Sequence, residues 1–372
     1  LILQLIFYIF LLNRLLLKMI RTKYFYFIDF LRWVAAMGIL IHHYKAHFPI
    51  NAKDIKNSEV FSFLINNATI GSYGVWFFWC ISGFVFTNIL VNQKNTLLDF
   101  SIKRFARLYP LHFLTLVIIT ILEFYSLSNF GNHQIESNIY DLYHFILNLF
   151  FISEWGLQNG SSFNGVIWSV SIELPVYFAF FYIVYFFNKN LLIHVFIILI
   201  ILKLLLHTNL FHYHLKACFF YFLFGSTIYL SCLKLEMYNK FLLTLSIFGI
   251  LSWPFLAYLE NLEDFKIIKN FLPTTLVLFC SLIIFAFSIE KYYTNIGKKL
   301  SFLGNSSYAI YLTHLPVQIF ILILFKLNFF EIQIFFSFNL FISYLILINV
   351  ISILTFKYFE NPIRKKINSF NK

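Results

Sequence analysis

Four stretches of this sequence put reactive side chains where apolar residues would otherwise continue. The first, Phe25 to Tyr44, carries Asp29, Arg32, His42 and His43. On an α-helix eleven residues turn through about 1100°, so Arg32 and His43 share one face, about 16 Å apart along the axis. His42 points about 80° away from that face. Asp29 lies one turn before Arg32 and can neutralise it. Such a face offers a guanidinium to an anion at one end and, at the other, an imidazole able to take a proton near neutral pH. The plainer alternative is a snorkelling arginine and a packed histidine. The second stretch, Phe100 to Pro110, holds Arg104 and Arg107, three apart on one helical face. An arginine pair suits bidentate contacts to phosphate; its alternative is ordinary anchoring at a membrane surface.

The third stretch, Asn164 to Tyr177, brings Glu173 into an apolar run alongside Ser171 and Tyr177. If Glu173 meets His43, the carboxylate fixes the imidazole's tautomer and stabilises its charged form. Otherwise it serves as an acidic group near a helix start. The fourth stretch, Ser307 to Pro316, contains His314, for which a structural hydrogen bond and catalysis both stand open. His43 and His47 are four apart, as metal ligands on a helix can be, but no acidic third ligand is near in sequence. No metal is expected.

These groups must be held by membrane helices. Of 372 residues, 60% are hydrophobic and only 12% charged, with mean hydropathy +0.79, whereas a soluble domain keeps about a quarter of its residues charged. The net charge of +12 does not signal nucleic acid, because the basic residues sit in short loops rather than among exposed aromatics. Cys80, Cys218, Cys232 and Cys280 lie in apolar runs without a CxxC pair, as packing thiols do.

The chain therefore reads as an all-α, polytopic membrane protein of about ten transmembrane helices. They are expected near 25–47, 74–91, 108–124, 166–187, 191–206, 215–232, 241–259, 271–289, 308–325 and 335–356. Residues 140–153, amphipathic and carrying Asp141 and His144, read as an interfacial or re-entrant segment rather than a span. Lysine and arginine concentrate in alternate loops, and the long segment from Glu123 to Gly165 has neither. That bias puts both termini in the cytoplasm. Residues 1–20 read as a mis-started extension or an interfacial helix, since the basic residues follow the apolar run instead of preceding it. Residues 21–366 form one membrane domain and 367–372 a cytoplasmic tail. The Phe-, Ile-, Asn- and Lys-heavy composition fits an AT-rich bacterial genome, hence a bacterial inner membrane.

Taken in order, these segments resemble the acyltransferase-3 family of integral-membrane acyltransferases. The motifs are Arg32 with His43; Gly74 to Phe84; Arg104, Arg107, Tyr109 and Pro110; Trp168 to Glu173; Ser307 to His314; and Glu360 to Pro362. The match departs at Phe30, where the family usually has Gly, and at Leu174, where a polar residue is common. It runs from about Tyr24 to Arg364, with no part for the esterase-like domain fused to some relatives, so activity is expected in the membrane part.

The resemblance implies an acyl-coenzyme A donor, usually acetyl-CoA, and as acceptor a hydroxyl of a cell-surface or lipid-linked carbohydrate. It implies His43, Glu173 and Arg32 as catalytic residues, His43 being the general base and Glu173 its partner, and Arg104, Arg107 and Arg32 as donor contacts. Attack through a covalent acyl-enzyme on Ser171 or Tyr177 stays open. The competing class is a transporter or flippase of glycan precursors, but the paired half-repeats common there are absent from the sequence. A non-catalytic scaffold would leave the Arg32–His43 face without a purpose.

Overall fold

The computed structural model describes residues 24–370, apart from 51–54, 56–57, 69–70, 72, 94–95, 136, 159, 188–189, 207, 209 and 261–273. The extension expected at residues 1–20 lies outside the described residues. The helices are α1 (Tyr26–His47), α2 (Glu59–Asn66), α3 (Tyr73–Asn92), α4 (Leu97–Phe130), α5 (Leu142–Leu149), α6 (Trp168–Phe187), α7 (Leu191–Leu205), α8 (Tyr213–Lys234), α9 (Asn239–Glu260), α10 (Thr274–Asn305), α11 (Ser307–Lys326), α12 (Phe338–Thr355) and α13 (Asn361–Ser369). Strand pairing among the described residues is limited to one bridge, Ile139 with Ser162. Lipid explains this choice: with no water to satisfy backbone groups, a spanning segment must bond within itself.

Among the described residues, seven helical stretches are long and apolar enough to cross a membrane, one of them the continuous run Thr274–Lys326 that holds both α10 and α11. Length and apolarity alone thus account for seven rather than ten. Helix α5 has eight residues, too few to span, in keeping with the sequence reading of that segment. Helix α4, with 34 residues, is about 51 Å long and outruns the hydrocarbon thickness of a bilayer of about 30 Å. Its first turns carry the arginine pair.

Close packing holds the centre. Gly83 of α3 and Gly225 of α8 each face the other helix's backbone: a Cβ on Gly83 would lie 1.8 Å from the Phe222 carbonyl oxygen, and one on Gly225 1.8 Å from that of Cys80. The reciprocal pair lets the backbones approach as small residues do in membrane bundles. One turn on, Thr87 donates to Ser226 at 2.8 Å, and Tyr229 donates to Asn88 at 2.9 Å.

Two ends can be distinguished by what gathers there. At one, the Phe27 amide donates to Glu290 at 3.0 Å and the Arg107 guanidinium meets Glu360. Helix α10 kinks at Tyr293 and carries Gly304 against the Asp29 backbone. At the other end lies the segment between α4 and α6. Buried Glu123 organises it, accepting from the amides of Gln134 (2.8 Å) and Ile135 (3.3 Å) and from the Tyr140 hydroxyl (3.0 Å). Asp141 caps α5, and its hydrogen bonds from His144 hold its carboxyl below the usual value. Lys216 is buried and caps α7, donating to the carbonyls of Leu205 and Thr208.

Candidate active site

Five helices enclose a cavity of about 130 Å³. Arg32 reaches it from α1, Trp79 and Ser82 from α3, Arg104 and Arg107 from α4, Glu173 and Tyr177 from α6, and Tyr308 and Tyr311 from α11. Arg32 from the face of α1, and Arg104 and Arg107 one turn apart on α4, thus share this cavity, whereas His43 of the same α1 face does not line it. The three guanidiniums are not equivalent. Arg32 is paired with Asp29 at 3.1 Å, and Asp29 also accepts from the Tyr24 hydroxyl. Arg107 is paired with Glu360, whose side chain is 1% exposed, and lies against the Tyr308 and Phe356 rings. Arg104 has no carboxylate at salt-bridge distance among the described residues, and its buried Nε has no acceptor. Its guanidinium lies over the Phe86 ring, 4.7 Å from the centroid. Glu173 accepts from the Tyr177 hydroxyl one turn along α6 and lies within electrostatic reach of Arg32 and Arg104.

His43 does not line this cavity. It belongs to a histidine stack: its Nδ1 is 3.1 Å from His47 Nε2, with the two rings nearly parallel, and its ring centroid is 5.0 Å from that of His314. His314 bonds the Ile310 carbonyl through Nδ1 at 3.0 Å, which makes Nδ1 the donor and leaves the Nε2 lone pair free. That Nε2 is buried without a partner, as are both amide atoms of Gln318 one turn further on. Tyr311 joins the two regions. It lines the cavity, its ring centroid is 6.2 Å from that of His314, and its hydroxyl contacts Ser169 (2.8 Å) and the Val166 carbonyl (2.5 Å).

Residues 25–357 match the family profile described as an acyltransferase domain, acyltransferase-3. The chain belongs to the acyltransferase-3 family. It is 25% identical over 394 aligned positions to the O-acetyltransferase OatA of Staphylococcus aureus, a match covering 94% of this chain and 58% of that relative. It is 28% identical over 153 positions to the acyltransferase MdmB of Streptomyces mycarofaciens, covering 40% of this chain and 36% of the relative. The chain therefore spans a little over half the length of the OatA relative. No solved structure matches it.

For this acyltransferase-3 chain the structure corrects one expectation. Arg32, Arg104, Arg107 and Glu173 come together, but Glu173 does not partner His43: its hydrogen bond goes to Tyr177, while His43 has His47 and His314. The physical reason is depth. Glu173 shares a cavity with Arg32, and His43 lies about 16 Å further along α1. Asp29 does neutralise Arg32, as the spacing requires. The Arg107–Glu360 pair escaped the sequence reading although both residues stood in quoted motifs, because 253 residues separate them. The roles of His47, Tyr311 and Gln318 were also missed. Position one turn from a motif histidine was the available signal for each.

Proposed function

We propose that this protein is a membrane O-acyltransferase that moves an acyl group, acetyl in the first instance, from acyl-CoA to a hydroxyl of a cell-surface or lipid-linked carbohydrate. Ten helices, α1, α3, α4 and α6–α12, cross the bacterial inner membrane, with both termini and the arginine-rich end of the bundle facing the cytoplasm. The observation that carries the reading is Arg104, a half-buried arginine whose buried Nε has no acceptor and which has no carboxylate at salt-bridge distance among the described residues, set in a cavity with two arginines that have theirs. A cation held this way in a low-dielectric site is suited to the phosphates of a cytoplasmic donor.

The donor's phosphates contact Arg104, with Arg107 and Arg32 shaping the entrance. Glu173, between Arg32 and Arg104, keeps the guanidiniums in place. The donor's flexible arm runs past Tyr311, which lines the cavity on the side of His314, and presents the thioester near His43. With the proton on Nδ1, His43 donates to His47 and keeps the Nε2 lone pair free. The acceptor hydroxyl gives its proton to that nitrogen and attacks the thioester carbonyl. The carbon–sulfur bond breaks, and the leaving thiolate takes the proton back, giving ester and free coenzyme A. His314 and Gln318 hold the acceptor with their unused hydrogen-bonding atoms. The OatA relative, an O-acetyltransferase by name, supports acetyl as the group moved.

Membranes carrying the protein, given acetyl-CoA labelled in the acetyl group, will place the label in surface glycan as an alkali-labile ester. Entry of intact glycan without label would make the protein a transporter instead.

A further inference from the structure

One polar cluster stands outside the cavity. Glu154, in the segment between α5 and α6, faces His212 and His214 at the start of α8. Its Oε1 is 3.0 Å from His214 Nδ1 and 3.8 Å from His212 Nε2, and all donor atoms of the three residues lie within 4.8 Å of one another. A tetrahedral zinc ion bound to nitrogen and oxygen at about 2.0–2.1 Å spaces its ligands about 3.3 Å apart. The two distances to Glu154 bracket that value. We propose that Glu154, His212 and His214 bind a divalent transition-metal ion of the zinc class, with a fourth position open to water.

Three observations support this beyond proximity. First, the residue types are right: two imidazoles and a carboxylate form a familiar three-ligand zinc set. The charge of Glu154 is otherwise uncompensated, because no lysine or arginine lies at salt-bridge distance among the described residues. Lys216, the nearest basic residue in sequence, is committed to the end of α7. Second, the ligands are held from behind. The Glu154 amide donates to Ser171 Oγ at 3.2 Å, the Trp155 indole donates to the Ser171 carbonyl at 3.0 Å, and the His214 ring packs on Trp168 with centroids 4.7 Å apart. Such supporting contacts orient metal ligands. Third, the site is partly open, with side-chain exposures of 19% for Glu154, 44% for His212 and 41% for His214, which leaves room for the water.

The absence of metal expected from the sequence rested on His43 and His47. Glu154 and His214 are 60 residues apart, so no local spacing could reveal this second set. The ion would tie the segment between α5 and α6 to α8 directly over the Trp168–Glu173 motif. Trp168 meets Trp79, which lines the cavity, so the clamp would brace the cavity wall.

The full-length protein, purified in detergent, stripped with a chelator and dialysed against zinc chloride, should retain one zinc per chain. Cobalt in place of zinc should give the visible absorption of a tetrahedral site. Glu154→Gln and His212→Ala should each lose the ion. His214→Phe should lose it too while keeping an aromatic ring on Trp168, so that loss of binding is not confused with loss of fold. His194→Ala, which alters a half-buried histidine on α7 away from the cluster, should bind as the parent does. Zinc retention by the parent no greater than by Glu154→Gln, or retention that survives all three ligand substitutions, overturns the proposal.

Discussion

Arg104 and Arg107 stand one turn apart on α4, yet their surroundings predict opposite results when each is replaced by methionine. In Arg107→Met the buried Glu360 carboxylate loses its guanidinium, and breaking a buried ion pair from one side costs about 3–5 kcal/mol. The variant should melt well below the parent and give less folded protein. Arg104→Met breaks no ion pair at salt-bridge distance among the described residues, and Glu173 keeps its Tyr177 hydrogen bond and the nearby Arg32, so its melting temperature should fall much less than that of Arg107→Met. Its cost falls on the donor instead. A lost charge-assisted hydrogen bond is worth about 1.5–3 kcal/mol, and each 1.4 kcal/mol is tenfold, so the KM for acetyl-CoA should rise about 10- to 100-fold. Initial rates of acetyl transfer against acetyl-CoA concentration, with melts followed by tryptophan fluorescence on the same preparations, separate the two effects. An unchanged KM in Arg104→Met, or a parent-like melt in Arg107→Met, would refute the division of labour.

Other consequences follow from the packing. Gly83→Leu drives a side chain into the Phe222 backbone, so little monodisperse protein should survive size-exclusion chromatography, whereas Gly249→Ala, against the flexible Ser281 hydroxyl, should be tolerated better. His47→Phe keeps a ring against His43 and removes its hydrogen bond, which should slow transfer roughly 2- to 10-fold with the donor KM unchanged. Parent-like turnover would release His47 from any positioning role. Tyr311→Phe leaves the Val166 carbonyl and the Ser169 hydroxyl without their partner and should cost about 1–3 kcal/mol in denaturant melts.

What the sequence made legible is what local periodicity encodes. The one-turn pairing of Asp29 with Arg32, and the shared face of Arg104 and Arg107, appear in the structure as spacing requires. Helix limits were less legible wherever polar turns continue a helix beyond its apolar run. Helix α4 begins at Leu97, eleven residues before the expected span, and α10 continues past Ile289 to Asn305 through the kink at Tyr293. Hydropathy detects the membrane core and not the helix. Partners distant in sequence were the least legible. His43 finds His314, and Arg107 finds Glu360, only once the bundle closes. Glu173 was expected beside His43, yet it lines the cavity with Arg32, Arg104 and Arg107 and bonds Tyr177.

Everything in the proposed chemistry passes through one nitrogen of His43. Its removal in His43→Ala should lower the turnover number for acetyl transfer by about 10²–10⁴-fold, the usual contribution of a general base, with membrane insertion and the acetyl-CoA KM preserved. Transfer at the parent rate in that variant would contradict the mechanism.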